Sequence, residues 1–160
     1  MIDWSPEDQK AIWATIFRRK GGDGVRTRLF DELGGSDQDG IRRTLGARSG
    51  EMAVIGARRD DGDCLILTTD RLAWAAFGQR REVDIRSICE VWPNNLRTPG
   101  QQKPKAEWDT IGIISFDDER LFVRVEPGPS FFGILNVLMN AATRNSLVRE
   151  RQSVAADPQP

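Results

Sequence analysis

The pattern of apolar and polar positions is clearest between residues 64 and 77, where two short apolar runs flank a polar turn. Runs this short, rich in aliphatic and aromatic side chains, are typical of β-strands rather than helices. Alternate residues of the second run are apolar on both faces: Leu72, Trp74 and Ala76 on one, Ala73, Ala75 and Phe77 on the other. A strand of this kind is covered on both sides. The pattern therefore predicts the central hairpin of a small antiparallel barrel, with another element over its outer face.

Further short apolar segments predict the other strands of this barrel, at residues 52–59, 82–85, 87–92, 108–116 and 121–125. Pro127 and Gly128 then end the last strand, and a helix follows. Its apolar residues form one stripe at helical spacing: Phe131, Ile134, Leu135, Leu138, Met139 and Ala142. The stripe predicts a helix that plugs the core, whereas residues 149–160 predict a frayed tail.

The N-terminal segment predicts an amphipathic helix over residues 6–20. Ser5 can cap it, Pro6 suits its first turn, and Gly21 follows a basic last turn. Two interpretations of this helix stay open. It can pack on its own domain and cover the outer face of the central hairpin, or it can lie on a membrane surface or a partner, since it carries aromatic residues and a basic end.

Two shorter helices are predicted over residues 25–33 and 36–45. The first depends on the helical spacing of Leu29 and Leu33, and the second on a capping box that begins at Ser36. The acidic residues near Ser36 also invite comparison with a calcium-binding loop. The spacing fails, because glycines stand where the loop needs its first ligand and its bidentate glutamate. Helix capping is therefore the better interpretation.

The central hairpin carries the motif Leu67-Thr68-Thr69-Asp70-Arg71-Leu72, preceded by Glu51 and Gly62 and followed by Glu82-Val83-Asp84-Ile85. Over about residues 50–146 this pattern resembles the GRAM and bacterial PH-like domains of the pleckstrin-homology superfold. The resemblance implies an α+β, mostly β fold: a PH-like seven-stranded antiparallel split barrel capped by a C-terminal helix. It implies an N-terminal helical extension packing on the barrel (1–49), a PH-like domain (50–148) and a flexible tail (149–160). Members of this superfold bind lipids, peptides or proteins, so activity does not follow from the resemblance.

Composition narrows the function classes. The chain has 160 residues, of which 23 are basic and 24 acidic. This nearly neutral net charge does not favour binding to nucleic acid. It contains no histidine, which removes histidine-dependent catalysis and histidine-containing metal sites. We therefore expect no enzyme, no cofactor and no metal. The start lacks the features of a signal peptide, so a cytoplasmic protein is expected. Cys64 and Cys89 are interpreted as buried reduced thiols, with a disulfide between adjacent strands as the alternative.

Two candidate sites follow from charge and aromatic residues. The long loop after residue 93 is basic and flanked by tryptophans, and two interpretations of it stay open. It can be a solvated connection with both tryptophans in the core, or it can make a protein contact through Trp92, Arg97, Lys103, Lys105 and Trp108. An anion contact through Arg58, Arg59, Arg80 and Arg81 is weaker, because Asp60, Asp61 and Asp63 follow Arg59 directly.

The expected partner is another protein, bound by a non-catalytic adaptor, regulator or inhibitor-like module. The alternative is a peripheral membrane module that binds anionic lipid through the helix of residues 6–20 and the basic loop. A homo-oligomer formed through the exposed sheet edge beside Trp92 is a third interpretation, since sheet edges accept further strands.

Overall fold

A computed structural model describes residues 4–94 and 103–156 of the chain. The fold is α+β, and its strands are antiparallel to their neighbours. Its helices are α1 (Pro6–Lys20), α2 (Gly35–Leu45) and α3 (Pro129–Ala156). Its strands are β1 (Thr27–Leu29), β2 (Ala53–Arg58), β3 (Cys64–Thr68), β4 (Arg71–Ala76), β5 (Gln79–Asp84), β6 (Ile88–Pro93), β7 (Thr110–Ser115) and β8 (Arg120–Arg124).

The strands form two sheets with simple up-and-down topology. The first has the order β1-β2-β3-β4-β5 and the second the order β6-β7-β8. Within the described residues this makes eight strands where seven were predicted, and the two sheets do not close into a barrel. The additional strand is β1, which pairs with the edge of β2 through Thr27 opposite Ala57 and Leu29 opposite Ile55.

The helix predicted over residues 25–33 is wrong: the segment is β1 followed by a 3₁₀ turn, Phe30–Glu32. Tertiary contacts decide the conformation here. The carboxylate of Glu126 accepts hydrogen bonds from the backbone N–H groups of Val25, Arg26 and Thr27, at 2.5, 2.9 and 2.8 Å. These bonds hold the backbone in a bend that leads into β1, where a helix cannot form. Glu126 lies about a hundred residues away along the chain, so local spacing cannot reveal them.

Helix α1 has the predicted bounds, and the Ser5 hydroxyl accepts a hydrogen bond from the Asp8 N–H at 3.1 Å. Its apolar face is buried, with Trp13 and Phe17 in the main core against α3 and the inner face of the first sheet. The indole N–H of Trp13 donates to Asn140 of α3 at 3.2 Å. Helix α1 is therefore packed on its own chain through its aromatic residues.

Helix α2 covers the outer face of the central hairpin. The sequence analysis named α1 as the candidate for this position. Ile41 and Leu45 of α2 pack with Phe30 and Leu33 against the hairpin side chains Ile66 and Ala73. Every residue of β3 is buried as a result. The capping box predicted at Ser36 is not formed: the helix begins at Gly35, and its N-cap makes no side-chain hydrogen bond. Its fixation comes from arginines of the sheet, described below.

Helix α3 closes the inner side of the core. Phe131, Ile134 and Leu138 are buried against both sheets as the stripe predicts, but Met139 is 44% exposed. The helix continues through Ala156, into the segment for which the sequence predicts a tail, and residues 157–160 lie outside the described part. In the described part of the chain, no helix combines the length and the apolar character needed to span a membrane.

Candidate interaction surface

The arginine of the hairpin motif, Arg71, is a structural clamp. Its side chain is 1% exposed and forms a two-pronged pair with Glu51, from Nε to Oε2 at 3.1 Å and from Nη2 to Oε1 at 3.0 Å. Nη1 also donates to the Glu82 carboxylate at 2.8 Å. The remaining donors reach the last carbonyls of α2, at Leu45 (3.0 Å) and Gly46 (3.1 Å). Arg71 thus joins the sheet to α2 and points away from solvent.

The clamp shifts the ionisation of its two acids. Burial by itself raises the pKa of Glu51, but hydrogen bonds from Arg71, from the Arg48 N–H and from Thr68 outweigh it and hold this pKa below its ordinary value. The hydrogen bond from Arg71 likewise lowers the pKa of Glu82. Both carboxylates are therefore charged in the folded protein under neutral conditions.

Because the folded chain holds these protons less tightly than the unfolded chain, the clamp stabilises the fold above the ordinary glutamate pKa of 4.5. This stabilisation is lost as the pH falls below that value and through the lowered pKa values. We expect the free energy of unfolding, measured by urea titration between pH 7 and pH 3, to fall less steeply below pH 4.5 in Glu51→Gln than in the wild type. Equal slopes would contradict this origin of the acid sensitivity.

The predicted anion contacts lie on both faces of the first sheet. Arg58 donates to the Ser36 carbonyl at 3.1 Å, and Arg80 donates to the Leu45 carbonyl at 2.6 Å. These two residues therefore hold the two ends of α2. Arg81 follows Arg80 on β5 and stands opposite Trp74, so its side chain faces the other side of the sheet. Arg59 follows the end of β2. The structure assigns Arg58 and Arg80 to helix fixation, and an anion contact by this group stays a prediction.

The predicted tryptophan pair is separated by the sheet. Trp108 packs on Phe131 and Phe132 of α3, with ring centroids 6.3 and 6.1 Å apart, and its indole N–H donates to the Lys103 carbonyl. Lys105 lies with its ammonium 5.8 Å from the same ring. This half of the predicted site is thus a local cluster beside the core. Arg97 lies outside the described residues.

Trp92 lies on the outer face of the second sheet with a partner that sequence reasoning missed, Phe122. Their rings meet edge to face, 6.2 Å between centroids, and Phe122 is 52% exposed. Gly112 lies between them in the register, and a Cβ on it would approach the Trp92 ring to 2.3 Å. In β8 the structure buries Leu121 and Val123 and exposes Phe122 between them, as alternation along a strand requires. The sequence has three consecutive apolar residues here, so it gave no signal of which face is exposed.

The open edge of β6 borders a groove, here the β6–α3 groove, of about 410 Å³. Residues 89–91 of β6 form one wall, and the exposed side chains of Met139 and Leu147 lie on the other. The β6 ladder is irregular here: the register shifts between Ile88 and Glu90. Two carboxylates line the groove, Glu90 and Glu150, whereas its described lining contains neither lysine nor arginine. The groove therefore combines apolar walls, backbone groups and negative charge.

Both cysteines are free, with Cys64 buried under α2 and Cys89 half-buried in the β6–α3 groove, where its thiol donates to the Ile114 carbonyl. Burial raises the pKa of the Cys64 thiol. Across residues 4–94 and 103–156, no group of three or more cysteine or acidic side chains is placed to hold a metal ion.

Comparisons with known proteins identify no relative of the chain. No protein-family model matches the chain, and neither a curated protein nor a solved structure is significantly similar to it. Function is therefore inferred from the geometry of the surface itself.

Proposed function

We propose that the chain is a non-catalytic protein-interaction module on a pleckstrin-homology-like scaffold. The order of elements supports the scaffold: β2 to β5 and β6 to β8 form a four-plus-three arrangement of meandering strands, and α3 follows the last strand. In this interpretation β1 and the two N-terminal helices are additions to the scaffold. The partner is a protein that contributes an extended segment to the open edge of β6.

The observation that carries this proposal is the position of β6. In the described part of the chain β6 pairs only with β7, so its other edge presents backbone N–H and C=O groups that a further strand can pair with. Helix α3 adds an apolar wall beside that edge, through Met139 and Leu147. Methionine adapts its shape to different apolar side chains, which suits a peptide-binding wall.

The negative charge of the groove restricts the amino-acid composition of the partner segment. Glu90 and Glu150 line it, so a lysine or arginine in the segment would be attracted, whereas an acidic segment would be repelled. Strand addition places alternate partner side chains toward the groove and away from it. The segment expected is therefore extended, apolar at alternate positions and positively charged. Trp92 and Phe122, on the adjoining face, extend the contact surface for residues beyond the strand.

The alternative of an anionic-membrane module is less well supported by the packing of α1. The aromatic residues that would enter the lipid, Trp13 and Phe17, are fully buried in the core. Exposing them would open the contact between α1 and α3. Non-catalytic action, homo-oligomerisation and a cytoplasmic location stay predictions from the sequence.

The test is selection of extended peptides from a random display library on the purified full chain, followed by measurement of affinity. We expect Met139→Asp and Leu147→Asp each to weaken the selected peptides about tenfold or more, because both place a charge in the apolar wall. Val154→Asp is the matched control: it lies on the same helix, is 77% exposed and does not line the groove.

Three results distinguish the outcomes. Loss of affinity in the two groove variants with an unchanged control supports the proposal. Peptides that bind all variants equally, or a library that yields no binder, would contradict it. Circular dichroism of each variant checks that the helix is retained.

A further inference from the structure

The hairpin between β4 and β5 ends in an exposed phenylalanine with a strained backbone. Ala76 pairs with Gln79, so the loop has two residues, Phe77 and Gly78. Both have positive φ, 53° and 75°, which is the combination of a type I′ turn. Asparagine, aspartate and glycine suit the first of these positions, whereas a bulky side chain there is strained. Phe77 is nevertheless 83% exposed, so packing within its own chain does not account for it.

The strain and the exposure of Phe77 together indicate a contact with another molecule. Strained backbone is concentrated at functional sites, because elsewhere an unstrained turn would be more stable. Aromatic side chains are also enriched in protein interfaces. The two strands that carry Phe77 are paired along their whole length, from Arg71 opposite Asp84 to the turn itself. The ring is therefore presented on an ordered support.

The sheet edge beside Phe77 is positively charged. Arg80 and Arg81 follow the turn on β5, and residues 76–81 include no acid. The Arg80 side chain is 50% exposed, and Arg81 is exposed without an ion-pair partner among the described residues. The carboxylates of the β2–β3 turn, residues 59–63, lie two strands away from β5 in the sheet. In the described part of the chain β5 pairs only with β4, so its other edge has no strand partner.

The β6–α3 groove has the complementary properties. Its walls include the apolar side chains of Met139 and Leu147, its two charged residues are Glu90 and Glu150, and its volume of about 410 Å³ admits an aromatic ring. An aromatic ring followed by arginines would thus meet apolar walls lined with carboxylates. Phe77 does not line the groove of its own chain. A contact between the two therefore requires a second copy.

We propose that the Phe77 hairpin of one copy of the chain binds in the β6–α3 groove of a second copy. The inference rests on the proposed function of that groove and names its occupant. Because the hairpin and the groove are different surfaces, the contact is head-to-tail, and a pair of copies leaves one hairpin and one groove unused. Further copies add to these ends unless the rotation closes a ring. Strands β5 and β6 are both sheet edges, which is where sheets of separate copies can join.

The experiment is sedimentation velocity ultracentrifugation of the full chain over a range of concentrations, at low and at high salt. We expect reversible association to dimers and larger species that weakens at high salt, since arginines meet carboxylates. Phe77→Asn is expected to raise the dissociation constant about tenfold or more. Val25→Asn is the matched control, because Val25 is 82% exposed and precedes β1, the opposite edge of the same sheet. We expect it to change the dissociation constant less than about twofold.

Thermal unfolding of the monomer separates a contact role of Phe77 from a structural one. Asparagine suits the first position of a type I′ turn, so we expect Phe77→Asn to have an unchanged or higher melting temperature at a concentration where the chain is monomeric. A lower melting temperature would show that the ring supports the fold, and it would overturn the inference.

A mixture of two variants tests the head-to-tail geometry. Met139→Lys replaces part of the apolar wall with a charge that repels the arginines, so we expect it to be largely monomeric where the wild type associates. Phe77→Asn keeps an intact groove, and Met139→Lys keeps an intact hairpin. Mixing them is therefore expected to give a one-to-one complex that neither variant forms alone.

Three results overturn the inference: a wild-type chain that stays monomeric, a mixture without a complex, or an equal loss of association in Val25→Asn. Association that persists in Met139→Lys also overturns it, because the hairpin would then bind elsewhere. Peptide binding by the groove is measured separately. A monomeric wild type that still binds selected peptides through Met139 and Leu147 overturns this inference alone and leaves the proposed function supported.

Discussion

Arg71→Ala is expected to destabilise the protein by about 3–5 kcal/mol, the range for removing one partner of a buried ion pair. Glu51 is the reason for so large an effect. Its side chain is 6% exposed and has its two-pronged contact with Arg71, so the substitution leaves a buried carboxylate without its counter-ion. The carbonyls of Leu45 and Gly46 also lose a donor. Urea unfolding at pH 7 measures the loss.

Two further variants test whether the charge itself is responsible. Arg71→Met combined with Glu51→Gln removes both buried charges, and we expect it to regain part of the stability lost in Arg71→Ala. Arg81→Ala, one strand away and exposed, is expected to stay within about 0.5 kcal/mol of the wild type. A loss below about 1 kcal/mol in Arg71→Ala would show that Arg71 does not clamp α2 to the sheet.

Sequence pattern predicted the elements whose signals are local. The central hairpin, α1 and the start of α3 each have a repeat or a cap within a few residues, and the structure has them close to the predicted positions. The helix predicted over residues 25–33 is wrong, because the conformation of this segment depends on pairing with β2 and on the Glu126 carboxylate. Arg71 was identified as part of a motif, but its role could not be predicted. Its partners, Glu51 and the end of α2, lie far from it along the sequence and reach it only in the folded chain.

For the same reason, the sequence predicted only part of the candidate interaction surface. Trp92 and Trp108 flank one loop along the chain, yet Trp92 faces outward beside Phe122 and Trp108 packs on α3. The exposure of Phe122 could not be predicted, because Leu121, Phe122 and Val123 are all apolar and the sequence does not show which face of β8 is covered. The β6–α3 groove could not be predicted either, because it requires knowing which strand ends the second sheet and where α3 crosses it.

The contact between α1 and α3 depends on a glycine just beyond the end of α1. A Cβ on Gly21 would lie 1.8 Å from the Pro129 carbonyl oxygen and 2.8 Å from the Gly133 nitrogen. Both are backbone atoms of the first turns of α3, so they cannot rotate away as a side chain does. Gly133 is crowded in turn by the Phe17 ring, at 2.5 Å from a Cβ built there. The two helices therefore approach as closely as their backbones allow.

Gly21→Ala is accordingly expected to destabilise the protein by about 2–4 kcal/mol, because α1 must move away from α3 and loosen the packing of Phe17. Urea unfolding measures the loss of stability. A change in the near-ultraviolet circular dichroism of the variant would show that the environment of Trp13 has changed. Gly35→Ala is the matched control: it makes the same substitution in the first turn of α2, where an added Cβ meets nothing within 4 Å. We expect that variant to be neutral or stabilised by up to about 1 kcal/mol, since alanine favours the helix over glycine. If Gly21→Ala were as stable as Gly35→Ala, α1 would be free to shift on α3, and its aromatic residues could leave the core at little cost.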